Sequence, residues 1–368
     1  MSNAPMVSVV MPVYNTAPYL AEAIDSILEQ SLEDFEFIII DDGSSDASGK
    51  ILDMYQESDD RIHVVHQENS GLAVSLNVGL RAARGKYIAR MDGDDISLPE
   101  RFAKQVEFMD NHPDVGVCGT AFMQFGDRTG VSWTMTDPEE IKSRLMFWPC
   151  IGHPTVMMRH ELIIKENLYY NTQFKQSEDH ELWLRFSQLC KITNIPEVLL
   201  LYRTRDNQAT HMFQDDVVKW SGKIHRQVIS VLGIEMTDDE VMLHQSLHTS
   251  KIELSRDYVE RVERWLCKLF DANETRRVYD KDAFTRVLFE RWSYVCSNET
   301  LLGPWALLKF RKSRLFAAGR EAGCNCSIQS MLSFTVRPAL GAIYNSFPCR
   351  IMRKFLRKCT ASEARRTV

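Results

Sequence analysis

The first 120 residues alternate between two patterns of apolar positions. Short runs rich in Val, Ile and Phe fall at residues 7–12, 35–40, 62–65 and 87–91. Between these runs, apolar residues recur every three or four positions, as on one face of a helix. Strands and helices that alternate at such intervals are joined by right-handed crossovers. The pattern predicts an α/β fold with a doubly wound, mostly parallel sheet flanked by helices.

The rest of the chain is irregular at first and then mainly helical. A helix is predicted at residues 98–111 and a strand at 115–122, whereas residues 123–178 show no clear period. Ser177 is expected to cap another helix, and a strand follows at residues 197–202. The C-terminal region contains four amphipathic segments, near residues 214–232, 237–249, 255–270 and 280–297.

Charge divides the chain more sharply than hydropathy does. Residues 309–368 hold 13 Lys or Arg and two Asp or Glu, which is a net charge of +11. Because the whole chain has a net charge of −6, residues 1–308 carry −17. A basic tail on an acidic body predicts an anionic partner. We therefore divide the chain into an α/β domain at 1–212, a helical region at 213–300 and a basic tail at 301–368.

The basic tail suits the surface of an anionic membrane. Residues 351–358 alternate basic and apolar side chains, a pattern typical of peripheral membrane contact. The alternative is a basic helix that lies against the acidic body. No apolar run reaches the roughly 18 to 20 residues that span a bilayer. We expect no nucleic-acid partner.

Composition is that of an ordinary soluble globular protein, with 44% hydrophobic and 26% charged residues. The nine cysteines are odd in number and scattered, and no basic stretch followed by an apolar run stands at the N-terminus. We therefore expect reduced thiols and a cytoplasmic location, at the inner face of the cytoplasmic membrane if the tail binds lipid.

Two acidic turns are the first candidates for chemistry. The strand at 87–91 runs into Asp92, Gly93, Asp94 and Asp95, which repel one another unless a cation lies among them. Oxygen-only ligands suit a hard divalent cation that also binds phosphate. A solvated acidic loop is the alternative. A second turn at residues 41–46 follows another strand, and ligands of doubly wound sheets bind at such strand ends.

Other motifs narrow the chemistry. The chain has neither G-x-G-x-x-G nor G-x-x-x-x-G-K-[ST], which argues against a dinucleotide-dependent dehydrogenase and a P-loop NTPase. Glu178 and Asp179 fall in the first turn of a predicted helix, where the helix dipole stabilises a charged carboxylate. The alternative is that both acids only complement the dipole.

Four segments in order closely resemble family 2 glycosyltransferases with a GT-A fold. They are VSVVMPVYN from residue 7, DDGSSD from residue 41, MDGDD from residue 91 and SEDHELWLR from residue 177. The resemblance covers roughly residues 5–210 and does not extend to the helical region or the tail.

The resemblance implies a role for each matching residue. It implies that Asp94 binds Mn²⁺ or Mg²⁺ on the diphosphate of a nucleotide sugar, and that Asp179 is the general base. Asp42 would accept a hydrogen bond from a base imide, which favours uracil or thymine. The residues expected to contact the donor nucleotide or its diphosphate are Pro12, Tyr14, Asp42, Asn69, Gly71, Arg90 and Asp92.

The polar loop after residue 202 offers further candidates. Arg203 and Arg205 are candidates to neutralise the diphosphate, and His211 is a candidate metal ligand. His153, in a Gly-His-Pro sequence, is another candidate for the site. For each of them an exposed polar loop is the alternative.

The resemblance predicts an inverting transferase that moves one sugar from a nucleotide sugar, with UDP favoured, to a glycan or lipid-linked glycan, as in surface polysaccharide synthesis. The Q-x-x-R-W motif of processive synthases is absent, which supports transfer of a single sugar. The alternatives are a GT-A-like nucleotidyltransferase and a non-catalytic module that binds sugar nucleotides or glycans. This chain lacks the glycine-rich signature expected of a nucleotidyltransferase. A non-catalytic module is expected to have lost Asp94 or Asp179, and this chain has both.

Overall fold

The computed structural model describes residues 4–132, 134–205, 214–247, 255–298, 302 and 304–324. Two compact units can be distinguished within the chain. The first comprises Met1–His248 and Thr275–Phe284, and the second comprises Thr249–Glu274 and Thr285–Val368. His211 and the tail from residue 325 lie outside the described residues. The predicted divisions after residues 212 and 300 stay predictions.

The N-terminal half of the sheet has the predicted parallel arrangement. The four strands lie in the order β3-β2-β1-β4, and every neighbouring pair is parallel. The strands and their intervening helices are β1 (Val7–Val13), α1 (Ala17–Leu28), β2 (Phe35–Asp41), α2 (Ser48–Ser58), β3 (Ile62–His66), α3 (Leu72–Ala82) and β4 (Tyr87–Arg90). The predicted strands and crossover helices of this half are confirmed.

The second half of the sheet is mixed. Its order continues from β4 as β8-β6-β9-β5, with β7 paired to β6. Strand β8 is antiparallel to both of its neighbours, whereas β6 and β9 are parallel. The elements are β5 (Ile96–Ser97), α4 (Arg101–Asn111), β6 (Val115–Gly126), β7 (Gly130–Val131), α5 (Pro138–Arg144), β8 (Met157–Arg159), α6 (His160–Lys165), α7 (Glu178–Phe186) and β9 (Lys191–Thr204).

Both faces of the sheet are buried, as a parallel sheet requires. Met11 and Ile39 face one apolar cluster, which α1 and α4 cover. Their strand neighbours Val10, Ile38 and Ile40 face a second cluster, which includes residues of α3 and α7. Ligands of such sheets bind beyond the carboxyl ends of the strands, so these ends are where a site is expected in the parallel half.

The helices that follow agree with the predicted amphipathic segments. The first unit contains α8 (Gln214–Ser230) and α9 (Asp238–Ser246). The second unit contains most of α10 (Arg256–Arg276) and α11 (Lys281–Asn298), with α12 (Pro304–Lys312) and α13 (Arg314–Glu321). Among the helices described, none has the length and apolar character needed to cross a membrane.

Candidate active site

The carboxyl ends of β1, β2 and β4 meet at one edge of the sheet. In the parallel register Val13 pairs with Asp41, and Val10 pairs with Arg90. The backbone N–H of Asp42 also donates to the Val13 carbonyl over 2.8 Å. The turn after β1 and the two acidic turns therefore lie side by side.

Asp42 holds the loop between β3 and α3 against this edge. Its carboxylate accepts hydrogen bonds from Gln67 Nε2 at 2.7 Å, the Ser70 N–H at 2.8 Å and the Gly71 N–H at 2.9 Å. Gly71 has a φ of +89°, which favours glycine. A carboxylate offers about four acceptor positions, so one remains for a ligand. The predicted contact of Asp42 with a base stays a prediction.

The turn after β1 combines a structural residue with an open aromatic ring. Asn15 has a φ of +53°, and its Oδ1 accepts the N–H of Ser45 at 2.8 Å. This bond joins the first turn to the acidic turn after β2. Tyr14 is 52% exposed, Pro12 is half-buried and Asn69 is exposed, so all three are accessible at the edge.

The turn after β4 brings three carboxylates together. One ligand oxygen from each of Asp92, Asp94 and Asp95 lies within 4.8 Å of the others. Burial and the charge of Asp92 raise the pKa of Asp94, and burial with both other carboxylates raises the pKa of Asp95 well above its usual range. Asp95 Oδ2 is buried and has no hydrogen-bond partner within the described chain. This oxygen-only set fits a hard divalent cation.

Arginines partly balance this cluster. The buried Arg90 forms two 2.6 Å contacts with the carboxylate oxygens of Asp92. Burial opposes the charge of Arg90, but Asp92 nevertheless raises the pKa of its guanidinium. Arg205, which follows β9, forms an ion pair with Asp94.

Arg203 fastens the end of β9 to the same turn. Its backbone N–H donates to Asp95 Oδ1 at 2.8 Å, and its Nε donates to the Asp94 carbonyl at 2.8 Å. The guanidinium also lies 4.6 Å from the ring centre of Tyr19 and pairs with Glu22. Arg203 and Arg205 therefore lie at the carboxylate cluster rather than in a detached polar loop.

The other acidic pair begins α7. Glu178 is buried and Asp179 is half-buried, and Asp179 Oδ1 accepts the His180 N–H at 2.7 Å. Burial raises the pKa of Asp179, and burial together with Asp179 raises the pKa of Glu178 to about 7. Ser177 immediately precedes the helix, but its side chain makes no capping hydrogen bond.

Arg90 acts electrostatically both on the carboxylate cluster after β4 and on the acidic pair at the start of α7. Besides pairing with Asp92, its charge lowers the pKa of both Glu178 and Asp179, although burial outweighs it. Such an interaction requires the guanidinium to lie near both carboxylates. Arg90 is thus the residue that most directly relates the strand-end cluster to the start of α7.

The buried Tyr170 and the half-buried His153 form a pair in the same region. Tyr170 and His153 Nε2 are joined by a 2.8 Å hydrogen bond. Burial raises the pKa of Tyr170, with contributions from Asp179 and Asp92, so its hydroxyl is near both acidic sites. Burial and Arg90 lower the pKa of His153 well below its usual range. His153 is therefore not in an exposed loop, and Tyr170 was not detectable within the irregular residues 123–178.

Three histidines fix α7 to the helices that follow it. His180 on α7, His244 on α9 and His225 on α8 bond the consecutive carbonyls of residues 145, 146 and 147, at 2.7, 3.0 and 3.1 Å. Because a carbonyl only accepts, each Nε2 must carry hydrogen. These three hydrogen bonds, which the sequence pattern did not reveal, hold α7, the helix that carries Asp179, next to α8 and α9.

Comparisons with known proteins agree with this architecture. The family model described as "Glycosyl transferase family 2" matches residues 8–169. An uncharacterized glycosyltransferase of Haemophilus influenzae is 31% identical over 68% of this chain and 83% of its own length. The O-antigen biosynthesis glycosyltransferase WbnJ of Escherichia coli is 35% identical over 54% of this chain and 79% of its own length.

Solved structures show the same fold at low sequence identity. Residues 1–349 of S. aureus TarS, crystallised with UDP, match with a TM-score of 0.53 and 19% identity, over 86% of this chain and 89% of that one. The complex of the same protein with UDP-GlcNAc matches with a TM-score of 0.54 over 86% and 90%. The predicted GT-A-type fold is therefore confirmed.

Proposed function

Because the chain belongs to glycosyltransferase family 2 and is therefore a glycosyltransferase, we propose that it is an inverting enzyme that transfers one sugar per reaction. The donor is a nucleotide-diphosphate sugar, with UDP-sugars favoured, and the acceptor is a hydroxyl group of a glycan or lipid-linked glycan. The observation that carries this proposal is the cluster of Asp92, Asp94 and Asp95 at the carboxyl end of β4, where one oxygen of each lies within 4.8 Å of the others and Arg90 pairs with Asp92.

The carboxylate cluster is assigned to the donor diphosphate. Asp94 is the proposed ligand of Mn²⁺ or Mg²⁺, and the unpaired oxygen of Asp95 supports a cation at this position. When bound, such an ion neutralises the negative charge that develops on the leaving phosphate. Arg203 and Arg205 add positive charge to the same place, and Asp92 orients Arg90.

The nucleotide is assigned to the edge beside β1 and β2. The exposed ring of Tyr14 offers a stacking surface, and Pro12 lines the same turn. Asp42 has one acceptor position left after binding its own loop, which suits the imide N–H of uracil. Gly71 and Asn69 belong to the loop that Asp42 holds and are assigned to the nucleotide pocket.

Asp179 is assigned the role of general base. It takes the proton of the acceptor hydroxyl while the hydroxyl oxygen forms a bond to C1 of the donor sugar. The bond between C1 and the phosphate oxygen breaks, and its electron pair leaves with the nucleoside diphosphate. One displacement on the opposite face inverts the anomeric configuration. Its raised pKa makes Asp179 a stronger base than an exposed aspartate.

The acceptor is assigned to surface polysaccharide synthesis at the inner face of the cytoplasmic membrane. Two observations support this: the related WbnJ is named as an O-antigen biosynthesis enzyme, and residues 309–368 carry +11. Removing residues 325–368 is expected to abolish salt-sensitive binding to anionic vesicles. The cut is placed there because Trp292 Nε1 donates to the Phe310 carbonyl at 3.4 Å, so α12 belongs with α11. Unchanged vesicle binding would contradict the membrane assignment.

The proposed reaction is tested with a panel of nucleotide sugars and purified full-length protein. We expect slow release of UDP from at least one UDP-sugar in the presence of Mn²⁺ or Mg²⁺, and loss of release after chelation. Addition of a suitable glycan acceptor should accelerate the reaction, and NMR should show an inverted anomeric centre. Retention of configuration would contradict a single displacement, and release that depends on a GDP-sugar would contradict the UDP assignment.

A further inference from the structure

An aromatic pair flanked by lysines lies beside the start of α7. Phe174, in the loop that leads to α7, and Trp220, on α8, have ring centroids 5.6 Å apart and an interplanar angle of 58°. The ammonium groups of Lys223 and Lys219 lie 4.3 Å and 5.2 Å from the centre of the Trp220 ring. Both aromatic rings are half-buried, and both lysines are exposed. We call these four residues the lysine–aromatic platform.

Two contacts locate this platform next to Asp179. The Phe174 carbonyl accepts the N–H of Ser177, the residue immediately before α7. Farther along both segments, the rings of His180 and His225 lie 6.3 Å apart. Trp220 and His225 are separated by five residues of α8, or about 7.5 Å along a helix axis. Along the chain, Asp179 therefore lies between Phe174 and His180, the two residues through which this segment contacts α8.

We propose that the lysine–aromatic platform binds an anionic acceptor saccharide, a sugar that bears a phosphate or carboxylate group. This inference rests on the proposed glycosyltransferase function and adds the chemical class of the acceptor. The apolar C–H face of a sugar ring packs on Trp220 or Phe174, and its anionic group pairs with Lys219 and Lys223. This places the saccharide beside the segment that carries Asp179.

Charge complementarity favours an anionic acceptor over a neutral one. Residues 1–308 carry a net charge of −17, which repels an anionic saccharide at most of this surface. Lys219 and Lys223 place two exposed ammonium groups on one tryptophan, and lysine is a common point-charge partner of phosphate. If the lysines served only to pack α8, removing them would change the affinities for charged and neutral sugars by the same factor.

The test measures binding of small sugars to the full-length protein. The probes are glucose 6-phosphate, glucuronate, glucose and inorganic phosphate. Their affinities are measured by calorimetry or from the chemical shifts of labelled tryptophan. We expect the two anionic sugars to bind at least fivefold more tightly than glucose or phosphate. Lys219→Ala combined with Lys223→Ala should reduce them to the affinity of glucose, and Trp220→Leu should weaken all sugars. Equal affinities for charged and neutral sugars, or no effect of the lysine changes, would overturn the proposal.

A matched control and two independent readouts separate this proposal from the others. Lys268 lies 5.4 Å from the ring centre of Trp265 and is exposed, so Lys268→Ala removes a similar lysine–tryptophan contact elsewhere. It should leave sugar binding unchanged. UDP affinity should be the same in the double lysine variant and the wild type. If the wild type did not bind UDP at all, that result would refute the donor assignment and not the acceptor proposal. If the double lysine variant no longer bound vesicles containing phosphatidylglycerol but bound sugars as the wild type does, the platform would be a membrane-binding surface and the proposal would be overturned.

Discussion

The two acidic regions of the first unit differ in how their charge is balanced. After β4, Asp92 pairs with Arg90 and Asp94 pairs with Arg205. At the start of α7, Asp179 accepts a backbone N–H, and no ion pair to it is found in the part of the chain that the structure describes. A cluster surrounded by cationic groups is suited to exchange one cation for another. A half-buried carboxylate without such a partner is suited to accept a proton.

The largest expected effect concerns the carboxylate without an ion pair. Asp179→Asn keeps the size of the side chain but removes its ability to accept the proton, so kcat should fall about 100- to 10,000-fold. UDP affinity in the presence of metal should remain at the wild-type value, as measured by calorimetry. Near-normal turnover with intact donor binding would remove Asp179 from its role as base.

The next effect concerns the paired cluster. Asp94→Ala removes the proposed metal ligand, so addition of Mn²⁺ should no longer increase the affinity for UDP, whereas it should do so at least tenfold in the wild type. Calorimetric titrations with and without Mn²⁺ measure this difference. A wild-type response to Mn²⁺ in the variant would contradict the ligand role.

A smaller effect tests whether Arg205 competes with the cation. Arg205→Gln leaves Asp94 without its partner, so Mn²⁺ alone should bind several-fold more tightly in the absence of nucleotide. Arg61→Gln is the matched control, because Arg61 pairs with Asp59 at a similar degree of exposure. Electron paramagnetic resonance of free Mn²⁺ measures both affinities. Equal affinities in the two variants would show that Arg205 does not occupy the cation position.

The smallest effect concerns stability and has opposite signs for two buried glutamates. The pKa of Glu178 is raised to about 7, so the folded state loses stability as the pH rises through 4.5 to 7. Glu178→Gln removes this loss and should raise Tm by a few degrees at pH 8 and by little at pH 4.

Glu36 provides the comparison for Glu178. Burial would raise the pKa of Glu36, but hydrogen bonds from Ser8 and Arg84 lower it. Its contribution is therefore present above pH 4.5 and is lost as the pH falls. Glu36→Gln should lower Tm at pH 8 and have less effect at pH 4. Thermal scans that show the same sign for both variants at pH 8 would contradict the assigned environments.

The two regions also differ in how much of them the sequence predicted. The acidic turns follow continuous apolar runs that are easy to recognise as strands, and both turns were located correctly at the strand ends. Residues 123–178 instead contain β8, three residues long, and the short helices α5 and α6, none of which spans enough residues to show a period.

The missed contacts have a related cause. The Tyr170–His153 bond and the three histidines on carbonyls 145–147 join residues that are distant in sequence. No local pattern records such pairings, because they exist only once the elements are packed. The roles of individual site residues remain predictions for the same reason, although the structure brings Arg90 near both acidic regions.

The most direct test of the account is a crystal structure of the Asp179→Asn variant with an intact UDP-sugar and Mn²⁺. We predict an anomalous manganese peak bound to Asp94 and the donor diphosphate, with the side chain of residue 179 facing C1 from the side opposite the leaving phosphate. A metal bound elsewhere, or a residue 179 side chain too far from C1 for an acceptor hydroxyl to lie between them, would contradict the account.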